Sequence, residues 1–141
     1  MKTIAYDVGT TGLKACMFDV SLEDGLRFIE AEVESYPLHI LPGGGVEQSP
    51  DSWWQAMCLS TRRLLEKTGA DAKEIEGISF CSQVQTVVMV DEQGNALRPS
   101  MSCMDTRADQ QFARYMHTGL QVEGLNIYKV LRFLQATGAV S

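Results

Sequence analysis

Residues 4–19 read Ile-Ala-Tyr-Asp-Val-Gly-Thr-Thr-Gly-Leu-Lys-Ala-Cys-Met-Phe-Asp. An apolar run carries one acid, Asp7, to a strand end, and the turn Gly9-Thr10-Thr11-Gly12 follows at once. A second strand then begins and carries Lys14. Glycines let a backbone approach a ligand closely. Successive N–H groups in such a turn form an anion-binding concavity. An acid beside it suits Mg²⁺, a hard cation that prefers oxygen ligands and water. The pattern is not a P-loop, which needs G-x-x-x-x-G-K-[ST] leading into a helix. Here the turn leads into another strand, so the expected geometry is a hairpin cradle for a metal-bound phosphate. An ordinary hairpin with Thr and Gly in its turn reads the same way locally.

The surrounding composition narrows the class. The chain has 141 residues, 45% hydrophobic and 21% charged, which is enough for one soluble domain with a core. Its net charge of −6 argues against general nucleic-acid binding, which rests on Lys and Arg neutralising phosphates. No apolar run reaches membrane-spanning length, and the N-terminus lacks the pattern of a signal peptide. A cytoplasmic location is the expectation. Cys16, Cys58, Cys81 and Cys103 are far apart in sequence and read as free thiols, not as a zinc site. His39 and His117 read as surface or loop residues.

Working outward, residues 3–8 and 12–20 read as paired strands. Residues 27–36 alternate, with Glu30, Glu32 and Glu34 expected on a solvated face and Ile29, Ala31 and Val33 on the other. Residues 40–48 read as a loop around Gly43-Gly44-Gly45. Ser49, Pro50 and Asp51 start a helix whose Trp53, Trp54, Met57, Cys58, Thr61, Leu64 and Leu65 form a core face, ended by Lys67 and Gly69. Residues 75–81 are an apolar strand, Thr86–Asp91 a second, and residues 96–101 run extended. Thr106 with Asp109 resembles a capping box that starts a helix through Met116. A last helix spans Ile127 to Leu134 and ends at Gly138, with Lys129 and Arg132 facing solvent. Three antiparallel strands followed by a crossover helix imply a mixed sheet covered by helices.

Several motifs then fall in order. Asp7-Val8-Gly9-Thr10-Thr11-Gly12-Leu13-Lys14 resembles the first phosphate motif of the actin-like ATPase fold, in the form found in the FGGY carbohydrate kinases. Glu47-Gln48-Ser49-Pro50-Asp51-Ser52-Trp53-Trp54 is similar to that family's E-Q-x-P-x-x-W-W entry to a long helix. Ser82-Gln83-Val84-Gln85-Thr86 sits where xylulokinases carry G-Q-M-H-G and glycerol kinases N-Q-R-E-T. Leu97-Arg98-Pro99 with Asp105-Thr106-Arg107 resembles L-R-P…W-x-D-x-R, and Tyr128–Leu134 resembles a helix with a K-L-x-W-L pattern. The ordered set spans nearly the whole chain.

The resemblance implies an α/β fold of the ribonuclease H-like, actin-like ATPase class. Its sheet is of the five-stranded mixed type, with three antiparallel N-terminal strands. It implies ATP-dependent transfer of a phosphoryl group to a hydroxyl of a sugar or polyol. Asp7 would hold Mg²⁺ through water. Gly9, Thr10 and Thr11 would contact ATP phosphates, and Lys14 would neutralise charge. Gln83, Val84 and Gln85 occupy the substrate loop, and Asp105 is a further substrate contact or a helix cap. The departures matter as much. Val84-Gln85 replaces the M-H and R-E dipeptides, and Cys103 replaces the tryptophan of W-x-D-x-R, so neither specificity carries over.

Family members are several times longer. Residues 1–141 therefore correspond to the front part of the N-terminal domain, ending at Ala139-Val140-Ser141. The C-terminal domain, the catalytic base, the second phosphate motif and the adenosine pocket lie elsewhere. A fragment of this kind is expected to be inactive alone. Its exposed apolar surface would be a route to a homodimer. Two other classes compete. A stand-alone actin-like module would bind nucleotide or assemble without kinase activity, and nucleotide-dependent oligomers would mark it. A ribonuclease H-like nuclease needs clustered acids for two metals, but Asp19 and Asp91 fall at far strand ends.

Overall fold

The computed structural model describes residues 1–138; Ala139, Val140 and Ser141 lie outside the described residues. The chain divides into two compact units after Asp105.

The first unit is built on β1 (Lys2–Val8), β2 (Gly12–Ser21) and β3 (Gly25–Ser35), an antiparallel meander. A short hairpin follows, β4 (His39–Leu41) and β5 (Gly45–Gln48). Helix α1 (Pro50–Thr68) then crosses to β6 (Ile75–Ser82), which lies parallel to β1. The sheet order β3-β2-β1-β6 supplies four strands of the expected mixed sheet among the described residues. A second, smaller sheet pairs β4, β5 and β7 (Ser100–Met101).

Period-two alternation sets the core. Ile4 and Tyr6 of β1 pair in register with Met17 and Ala15 of β2, and all four turn toward α1. Ala56 and Leu64 close the layer from the helix, with Tyr36 at its edge. Ile4, Leu13, Met17 and Leu64 are fully buried, each worth about 2 kcal/mol of removed apolar surface. The Tyr6 hydroxyl meets Thr61 Oγ1 at 2.6 Å, which satisfies the polar tip of that ring. Pro50 opens α1 and Gly69, at φ 67°, closes it in the left-handed region as expected. Ser49 makes no side-chain cap bond; Ser52 Oγ donates to its carbonyl instead, at 2.6 Å.

Several sequence expectations are corrected here. Residues 40–48 are not a plain loop: Gly43 and Gly44, both with positive φ, form the turn of the β4–β5 hairpin. The β3 glutamates do not face solvent. Glu32 pairs with Lys67 and Glu34 with Arg63, both from α1, so the acids lie on the helix side and Val33 faces away, 58% exposed. Periodicity finds the two faces of a strand but not which one a basic helix will cover. Thr86–Asp91 is no strand; it makes only isolated bridges, Val87 to Met101 and Val90 to Ala96. Trp53 packs against the core as expected, but Trp54 is 66% exposed.

The second unit contains α2 (Asp109–Met116), a two-residue hairpin β8 (Gln121–Val122) and β9 (Leu125–Asn126), and α3 (Ile127–Thr137). Ala108, not Thr106, precedes the first turn of α2. Asn126 caps α3 by accepting from Lys129 N at 2.9 Å, and Gly138 ends it in the left-handed region. Lys129 does not point freely into solvent: its Nζ donates to Tyr115 O and Thr118 Oγ1 and lies 4.0 Å from the Tyr115 ring.

Candidate functional site

The turn between β1 and β2 is held from behind. Gly9 N donates to Gly12 O at 3.0 Å and closes it. The Tyr36 hydroxyl donates to Gly9 O at 2.5 Å, and Gln48 Nε2 donates to Thr10 O at 2.7 Å. Two successive carbonyls are thereby tied inward by buried side chains. Among the described residues, the Thr10 and Thr11 N–H groups donate to no backbone or side-chain acceptor. Such N–H groups beside fixed carbonyls suit an anion. Gly12 is required by close approach: a Cβ there would sit 2.9 Å from Glu34 O.

Asp7 stands on the sheet face opposite α1, exposed, directly across from Lys14 on β2 and Cys81 on β6. Desolvation first, and then the Asp7 carboxylate as acceptor and negative neighbour, raise the exposed Cys81 thiol above the usual cysteine range. Burial, and secondarily the Asp7 charge, push the Tyr36 phenol up to about 12, so it stays a neutral donor to the turn. Among the described residues no cluster of three His, Cys, Asp or Glu side chains could hold a metal ion. A single carboxylate beside an anion cradle suits a Mg²⁺ that keeps its waters and takes phosphate oxygens. It does not suit a zinc centre.

The segment after β6 leaves the sheet beside this turn. Gln83 N donates to Val8 O at 2.8 Å, and Gln83 Nε2 donates to Gln48 Oε1 at 3.0 Å. Gln83 also lines a cavity of about 340 Å³ with Val8, Trp53, Met57, Ser82 and Thr86. Val84 is 73% exposed, and Gln85 has φ 60°, a left-handed conformation that a residue with a side chain adopts rarely.

The predicted residues thus separate. Asp7, Gly9, Thr10, Thr11 and Lys14 come together at one hairpin end, and Gln83 joins them through Gln48. Val84 and Gln85 stand out from the loop. Asp105 is engaged elsewhere: its Oδ2 accepts from Val46 N at 3.0 Å, which fixes the β4–β5 hairpin. Arg98 pairs with Glu47 at 2.5 Å, so two of the quoted motifs bind each other. Sequence reasoning missed Tyr36 and Gln48. Gln48 was within reach, since it stands inside the E-Q-x-P motif; Tyr36 carried no local signal.

A β-meander with a parallel fourth strand, a crossover helix and an acid-bearing glycine turn at its tip belongs to the actin-like ATPase fold. Residues 2–139 match the FGGY family of carbohydrate kinases, N-terminal domain, and the chain belongs to that family. It is 31% identical over 106 residues to the gluconokinase of Bacillus subtilis, covering 75% of this chain and 20% of that one. It is 29% identical over 121 residues to a glycerol kinase of Rhodopseudomonas palustris, covering 84% and 23%. The solved xylulose kinase of Rhodospirillum rubrum superposes with a TM-score of 0.69 at 26% identity, over 82% of this chain and 23% of that one. The chain spans about a fifth of the length of the curated relatives it matches. No helix among the described residues is long and apolar enough to cross a membrane.

Proposed function

We propose that this chain is the nucleotide-phosphate wall of an ATP-dependent carbohydrate kinase that phosphorylates a sugar or polyol hydroxyl in the cytoplasm. On this reading it forms the first part of an N-terminal actin-like domain. The observation that carries it is the tied-back turn beside Asp7 and Lys14. The Thr10 and Thr11 N–H groups bind phosphate oxygens, and Lys14 offsets their charge. Asp7 would hold Mg²⁺ through water, and the ion when bound would neutralise phosphate charge. The substrate hydroxyl oxygen forms a bond to the γ-phosphorus as the bond to the ADP oxygen breaks. The hydroxyl proton passes to a base outside these residues. Gln83 supplies an amide with both donor and acceptor for a polyol hydroxyl.

The relatives' names include xylulose, glycerol and gluconate, so the test is a panel of these and other sugars and polyols, with ADP release measured on the full-length protein. The expected result is stimulation by one or a few members. No stimulation by any would remove the assignment. Asp7→Ala in the active protein should lower turnover by about 100-fold or more, as loss of a charge-stabilising group does. An unchanged rate would remove the metal role.

A further inference from the structure

Gln48 is fully buried at the end of β5, and its side chain bridges the two loops of the site. Thr10 O is a carbonyl and can only accept, so the end of Gln48 facing it is the NH₂ group. Gln48 Oε1 is left to accept from Gln83 Nε2. Gln83 then presents Oε1 at the far end, and that atom is buried with no hydrogen-bond partner among the described residues. The Gln48 backbone is clamped independently: Ser100 Oγ, itself fully buried, donates to Gln48 O at 2.9 Å. The chain of bonds therefore has one direction, from the Gln83 amide through the Gln48 amide to the Thr10 carbonyl.

We propose that Gln48 is a positioning residue that sets the phosphate turn and the Gln83 loop in one register, with Gln83 Oε1 as the open acceptor for a substrate hydroxyl. This rests on the kinase reading. A hydroxyl that donates to Gln83 Oε1 fixes the Gln83 amide plane. That plane aims Nε2 at Gln48, and Gln48 holds the Thr10 carbonyl so that the neighbouring N–H groups point outward. A primary amide fills the middle place at neutral pH, because it offers a donor and an acceptor in one neutral plane. An ionised glutamate of the same shape can accept from Gln83 but cannot donate to Thr10. When protonated it can do both.

The test uses the full-length protein and two readouts. Amide hydrogen exchange at Gly9 and Gln83 follows the two turns directly. In Gln48→Glu near neutral pH, the Gly9 amide should exchange about tenfold faster, the loss of one buried hydrogen bond, while the Gln83 amide, whose acceptor is kept, exchanges at close to its wild-type rate. Steady-state kinetics against sugar and ATP should show kcat falling more than either KM. Burial raises a carboxyl pKa, so the Gln48→Glu rate relative to wild type should climb as pH falls from about 8 to about 6. A residue that only fills space would give a flat ratio. Gln83→Met cuts the other link and should speed exchange at Gly9 while Gln48 stays in place. Unchanged exchange at Gly9 in both variants, or a flat pH ratio in an active enzyme, overturns the relay. If no sugar stimulates the wild type yet exchange responds as stated, the kinase reading falls and the relay stands.

Discussion

The turn after β1 and the turn after β6 leave the sheet side by side, since Val8 and Ser82 are register partners on parallel strands. They are built differently. The first has two carbonyls tied by Tyr36 and Gln48 and a glycine against the Glu34 carbonyl. The second is anchored at Gln83 only; beyond it Val84 is exposed and Gln85 sits at positive φ. A rigid cradle suits a ligand part that never changes, such as a phosphate. A loop held at one end suits a part that varies between relatives. The contrast matches chemistry to rigidity, because ordering a loop in advance costs conformational entropy that only a fixed ligand justifies.

Four changes probe that contrast. Gly12→Ala should do most damage: its Cβ would stand 2.9 Å from a backbone oxygen, and overpacking of this kind costs about 2 kcal/mol or more. Urea unfolding measures it, and an unmoved midpoint would mean the first turn is as compliant as the second.

Alkaline pH comes next. The unfolded phenol of Tyr36 ionises near pH 10 and the folded one at about 12, so the folded state holds the proton more tightly. That contribution is complete below about pH 10 and is lost as pH rises through about 12, a change of about 2 kcal/mol. In Tyr36→Phe the slope of stability over this range should flatten. An identical slope in the variant would show that Tyr36 is not the group that titrates.

At the second turn the sign reverses. Gln85→Gly should raise stability by about 1 kcal/mol, because a left-handed residue pays that much for its Cβ, and Gln85→Val should lower it by a similar amount. Equal effects of both would place the strain elsewhere.

The smallest effect is chemical. Cys81 should be alkylated more slowly near pH 8 than an unperturbed thiol, since its proton is held more tightly. Asp7→Ala should speed that reaction a few-fold by removing the neighbouring negative charge. No change would separate Asp7 from Cys81 and with it the electrostatic picture of the strand tips.

Much of this was legible in the residues. The meander, the long helix with Pro50 and Gly69 at its ends, and the acid-to-lysine turn follow from period-two alternation, capping chemistry and glycine placement. These are local, and local rules reach them. Other features were not legible. Glu32 and Glu34 alternate like a solvated face, yet they meet Lys67 and Arg63 of a helix that follows them in the chain. Thr106 and Asp109 have the spacing of a capping box, but α2 starts from Ala108. The bond from Val46 N to Asp105 Oδ2 joins residues 59 apart, and no local pattern signals it.

By itself the sequence determined the class of fold, the family-like motifs and the glycine-rich turn after β1, because each is written in adjacent residues. Only the tertiary structure decided how the motifs serve one another. Glu47 finds Arg98, and Gln48 reaches Thr10, Gln83 and Ser100, over separations that no local pattern spans. The physical reason is burial. An amide side chain withdrawn from water must find partners inside the fold. Which partners it finds depends on where the β4–β5 hairpin, β7 and the two turns are packed together.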